Sequence, residues 1–129
     1  MWPFRRKNPE ESLRGAPEVR RLKTYSAESG YVFQYFYEGY RHVLGGTTYV
    51  FSVSADRKTY APVSVRILHG ADASWEKENQ RSLAPNEVYA VAKLALFGIF
   101  DANIPPAVLG KEFTTTPDQA RDILTSLDL

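Results

Sequence analysis

No cysteine occurs anywhere in the 129 residues, which rules out disulfides, thiolate metal sites and a cysteine nucleophile within this chain. Histidine is almost as scarce: His42 and His69 are the only imidazoles. Long apolar runs are missing too. The longest, from Val88 to Phe100, is interrupted by Lys93 and falls well short of the roughly 20 residues that a spanning helix needs, so it reads as a core helix. The charged start Met1-Trp2-Pro3-Phe4-Arg5-Arg6-Lys7 is followed by Asn8, Pro9, Glu10 and Glu11 rather than by the apolar stretch of a signal peptide, and a cytoplasmic location is the expectation. Nucleotide signatures are equally absent. Gly45-Gly46-Thr47-Thr48 lacks the lysine of a phosphate loop and has strand patterns on both sides, so it reads as a hairpin turn. Neither a cofactor nor a metal is expected.

What is present is an aromatic, moderately apolar chain. A hydrophobic fraction of 43%, with seven Phe, eight Tyr and two Trp, suits one globular core and argues against global disorder. The net charge of +1 conceals a polarity along the chain. Up to Tyr25 there are seven basic residues against three acidic ones, or +4, and the remaining nine basic and twelve acidic residues give −3. Residues 1–17, with Pro3, Pro9, Gly15 and Pro17, read as a flexible basic leader, and residues 18–129 as a single α+β domain. Arg5, Arg6 and Lys7 are the leader's candidate contacts to nucleic acid or to an anionic membrane surface, where Trp2 and Phe4 add interfacial anchors.

Four segments carry strand periodicity: 19–27, 31–42, 47–54 and 59–68. In the second, Tyr31, Phe33, Tyr35 and Tyr37 alternate with Val32, Gln34, Phe36 and Glu38 until the pattern breaks at Gly39. Tyr49, Phe51 and Val53 form one face of the third, and Ala61, Val63, Val65 and Ile67 one face of the fourth. Short turns at 28–30, 44–46 and 55–58 favour an antiparallel meander. Pro62 cannot donate to a ladder, which places the fourth strand at an edge or gives it a bulge.

After Gly70 the period becomes helical. A short helix is expected over 72–79 with Asp72 as cap, and a longer one from Pro85 to about Ala102. Thr116-Pro117-Asp118-Gln119 has the pattern of a capping box, and Ala120, Ile123, Leu124 and Leu127 follow at one-face spacing. The expected fold is therefore α+β: a four-stranded, mainly antiparallel sheet in the N-terminal half, covered on one face by the C-terminal helices.

Function is less legible. Continuing the alternation past Gly39 puts Gln34, Glu38, Tyr40 and His42 on the wet face of the sheet, where Tyr40 and Tyr60 would anchor a partner rimmed by Arg41, Arg57 and Arg66. A small non-enzymatic protein-binding or adaptor domain, binding another protein or a second copy of itself, is the leading expectation. A nucleic-acid-binding protein using the basic leader and the aromatic sheet face is the alternative. A hydrolase-like enzyme would need His42 with Glu38, or His69 with Asp72, and no nucleophile or oxyanion donor is identifiable beside either pair.

Overall fold

Four strands follow one another in antiparallel pairs and a fifth joins them in parallel, after two helices have intervened. In the computed structural model, described for residues 13–127 except 69, 71 and 72, the order is β1 (Lys23–Ser26), β2 (Val32–Val43), β3 (Gly46–Ser54), β4 (Ala61–Leu68), α1 (Ala73–Asn79), α2 (Pro85–Ala102), β5 (Glu112–Thr115) and α3 (Pro117–Leu127). The sheet runs β1-β2-β3-β4-β5 in space. It has five strands, not the expected four, and is mixed because β5 pairs with β4 in parallel. A parallel pair requires a crossover, and α1 and α2 supply it.

Other boundaries also shift. The first strand is shorter than its periodic segment, leaving Val19 and Leu22 exposed, and Tyr31 precedes β2 and is exposed rather than part of the core. β4 is interior from Ser64 onward, where Ser64 pairs with Glu112 of β5. Pro62 lies before that pairing begins and faces only Ser52 of β3. The missing donor thus falls where β4 has no outer neighbour.

One face of the sheet carries the core. Phe33 and Tyr35 of β2, Tyr49, Phe51 and Val53 of β3, and Val63, Val65 and Ile67 of β4 pack against Val91, Ala92, Leu96 and Phe100 of α2 and Ala120 and Leu124 of α3. Phe97 and Phe100, three residues apart on α2, stack on Tyr25 and Phe33 respectively, each at 4.2 Å between ring centroids. Burial of one such phenyl ring stabilises by about 1.5–3 kcal/mol. Trp75 of α1 packs against the same cluster, so all three helices serve this face. No helix among the described residues is long and apolar enough to cross a membrane.

The helix starts follow from local chemistry. Thr116 Oγ1 accepts from the Gln119 N–H and Gln119 Oε1 accepts from the Thr116 N–H, which completes the expected capping box of α3. At α2, Pro85 occupies the first turn while Glu87 accepts from the Ala84 N–H at 2.8 Å and is held by Arg81 at 2.8 and 3.0 Å. These contacts, the Arg81 hydrogen bond foremost, hold the Glu87 carboxyl down at about 2.

Candidate binding face

The face opposite the helices is shaped by a bulge in β2. Tyr37 pairs with Phe51, but Gly39 pairs with Val50, so Glu38 is an extra residue and the alternation resets. Gly39 takes φ +131, a conformation that favours glycine. Before the bulge the open face receives Gln34 and Phe36, and Glu38 itself reaches Ser52 on that face. Beyond it, Arg41 opposite Thr48 takes the open face, whereas Tyr40 opposite Tyr49 turns toward the helices.

This corrects the expected partner surface. Tyr40 packs beside Tyr49 and His42, at 5.9 and 5.5 Å between ring centroids. Tyr60 instead lies 5.7 Å from Phe36 on the open face, with its hydroxyl 3.5 Å from Gln34 Oε1. The two tyrosines do not form one platform. The same bulge separates Glu38 from His42, whose Nδ1 is 3.3 Å from Thr47 Oγ1, so that proposed acid–base pair is not assembled. His69, Asp72 and the leader residues Arg5, Arg6 and Lys7 lie outside the described residues.

Two polar clusters occupy the face away from the helices, on which Thr48, Val50 and Ser54 are buried while Tyr60 is exposed. In the first, Arg20 grips Glu38 through two hydrogen bonds, at 3.1 and 2.6 Å, while its guanidinium lies 4.2 Å over the Phe36 ring. Ser52 Oγ donates to the same carboxylate at 2.6 Å. An exposed ion pair of this kind adds little to stability, but it fixes the aromatic rings beside it. At that end of the sheet the turn between β3 and β4 is built by Asp56, whose Oδ1 accepts from the Lys58 and Thr59 N–H groups at 2.8 Å each. The Thr59 and Lys58 backbone bonds hold its carboxyl down at about 2. Arg57 stands exposed on this turn with φ 67.

In the second cluster, Arg41 of β2, Thr48 of β3 and Arg66 of β4 form one cross-strand row. Thr48 is completely buried, yet its hydroxyl has no hydrogen-bond partner, and neither do Arg41 Nη1 and Arg66 Nε. Leaving a buried polar group unpaired costs about 1–3 kcal/mol. Arg66 also reaches Glu112 of β5, but at 3.6 Å. Between the clusters, Leu13 lies near Gly39, and Arg14 exchanges backbone hydrogen bonds with Tyr40 at 2.7 and 2.9 Å, extending the β2 edge.

Arg41, Arg57 and Arg66 are legible as candidate contacts in the sequence, whereas Arg20, Phe36 and Thr48 are not. A glycine inside an aromatic strand is the signal that would have reset the faces. Away from this face, a cavity of about 470 Å³ lies between α2, β5 and α3, lined by Leu94, Gly98, Ile99, Phe113 and Ile123 among others. It contains none of the expected site residues. No group of three or more His, Asp or Glu side chains suited to a metal occurs among the described residues. Comparison with family models, curated proteins and solved structures finds no match.

Proposed function

We propose that this chain is a small non-enzymatic protein-binding or adaptor domain whose open sheet face receives a protein partner, a second copy included. The observation that carries this reading is the partition of the sheet. The three helices pack on one face, and the other carries Phe36 and the exposed Tyr60 beside Arg20 at one end and the Arg41–Thr48–Arg66 row, with Thr48 itself buried, at the other. Tyrosine and arginine are the residue types that most often anchor interfaces. Tyr60 is the anchor in this account, with Phe36 beneath it and Arg57, Arg66 and Arg41 at the margins. Tyr40 is not an anchor, because it faces the helices.

A photoreactive phenylalanine analogue at position 60, compared with one at Asp122 on the exposed side of α3, tests the proposal in cells. A discrete protein adduct formed from position 60, absent from position 122 and lost on Phe36→Ala substitution, supports it. Equal capture from both positions, or none from position 60, discards the open face. Recovery of nucleic acid instead of protein would favour the alternative, in which the basic leader acts with the aromatic face.

A further inference from the structure

We infer that the cavity between α2, β5 and α3 binds a small amphipathic amine, holding its apolar body between the helices, a polar group at Thr115 and its ammonium at Asp122. This goes beyond the protein-binding reading, because the cavity lies on the helix side of the sheet, away from the face assigned to a partner. Its volume of about 470 Å³ falls within the roughly 300–1,000 Å³ of small-molecule sites. Leu94 and Ile99 of α2, Phe113 of β5 and Ile123 of α3 supply apolar walls, and all four are only partly buried by the chain itself.

Gly98 is the first sign that the space is kept open for an occupant. Glycine in a helix interior is destabilising relative to alanine. A Cβ at Gly98 would meet nothing within 4 Å among the described residues, so packing inside the chain does not call for its absence. Ligand atoms resting on α2 would call for it.

Thr115 is the second sign. It is only 4% exposed, and the alternation along β5 turns it, with Phe113, toward the helices. Its hydroxyl has no hydrogen-bond partner among the described residues, yet it is not one of the unpartnered atoms sealed from solvent. The cavity is the space on which it opens.

Charge then selects the class of ligand. Asp122 is the only charged residue that lines the cavity, and it has no ion-pair partner among the described residues. A lone carboxylate attracts a cation and repels an anion. Asn103 and Gln119 are already committed to the Ile99 carbonyl and the Thr116 N–H, which leaves Thr115 and Asp122 as the polar contacts on this side of the sheet. Asp122 stands about 8 Å along α3 from its first residue, Pro117, so the two contacts are set apart rather than side by side.

The test titrates the full chain, isotopically labelled at its isoleucine methyl groups, and follows the Ile99 and Ile123 signals by NMR at constant ionic strength. The probes are tyramine, phenethylamine and para-hydroxyphenylpropionate. A saturable response to tyramine, with the propionate about tenfold weaker and phenethylamine about threefold weaker, supports the inference. The near-isosteric Thr115→Val is expected to bring tyramine down to the affinity of phenethylamine, and Asp122→Asn to remove the preference for tyramine over the propionate. Gly98→Leu fills the space with a better helix former and should abolish binding without lowering the melting midpoint. Thr115→Val and Asp122→Asn decide the matter if that variant melts early. Failure of either amine to saturate, equal binding of the propionate, affinities unchanged in Thr115→Val and Asp122→Asn, or a tyramine response that survives in folded Gly98→Leu overturns the inference. A discrete protein adduct from the photoreactive analogue at position 122 would overturn it too, because the cavity would then receive a macromolecule.

Discussion

The Tyr25 hydroxyl donates a 2.8 Å hydrogen bond to Asp101 Oδ2, joining β1 to the last turn of α2 across 76 residues of sequence. Asp101 Oδ1 meanwhile accepts from the Glu28 N–H at 2.9 Å, and Ser29 Oγ donates to the Phe100 carbonyl at 3.1 Å. A carboxylate is disfavoured at a helix C-terminus, and a hydroxyl and a backbone N–H offset that penalty here. Tyr25→Phe is expected to destabilise by about 1 kcal/mol, and Asp101→Ala by more, because it removes the bond from the exposed Glu28 N–H as well as that from Tyr25. Urea unfolding at neutral pH checks both. Equal stability for all three proteins would remove this clamp from the account.

Stability is expected to fall at both ends of the pH scale. Burial pushes the Tyr35 phenol up to about 12 and raises those of Tyr37 and Tyr89, while the hydrogen bond to Asp101 raises that of Tyr25. These groups favour the folded state while protonated, so their contribution is complete below about pH 10 and is lost as pH rises toward about 12. Asp56 and Glu87 have the opposite sign. Their carboxyls are held down at about 2, so their contribution is present above the ordinary carboxylate range near 4 and is lost as pH falls toward 2. Melting followed by circular dichroism should give its highest midpoints between about pH 5 and 9. A midpoint unchanged from pH 7 to 11 would contradict the alkaline half.

Gly39 and Gly30 separate a structural requirement from a conformational one. Both have positive φ, +131 and +95. A Cβ on Gly39 would stand 2.6 Å from the Arg14 carbonyl oxygen, whereas one on Gly30 would meet nothing within 4 Å. Gly39→Ala is therefore expected to cost more than the roughly 1 kcal/mol set by backbone preference alone, and Gly30→Ala about that amount. Hydrogen exchange should also show faster exchange at the Tyr40 amide, which donates to Arg14, only in the Gly39 variant. Equal costs would mean that the chain at Leu13 to Ala16 does not rest on the bulge.

Much of the fold is legible in the residues because binary patterns carry it. The alternation in β3 and β4, the apolar length of α2 and the Thr116–Gln119 box of α3 each state their structure locally. β5 is not legible. Glu112 to Thr115 alternates over too few positions to announce a strand, and its pairing depends on where α2 delivers it. The site fails for a different reason. Tyr40 is out of step with the alternating Phe33, Tyr35 and Tyr37, and composition alone does not reveal that one extra residue at Glu38 returns it to their face.

That transfer is the claim on which the binding face rests, and cross-strand nuclear Overhauser contacts between β2 and β3 measure it directly. The bulged register predicts Tyr40 opposite Tyr49 and Arg41 opposite Thr48. An unbroken continuation of the Tyr37–Phe51 pairing would instead set Tyr40 opposite Thr48 and Arg41 opposite Thr47. Contacts of the first kind support an open face carrying Phe36, Tyr60, Arg41 and Arg66. Contacts of the second would return Tyr40 to that face, remove Arg41 from it and contradict the account.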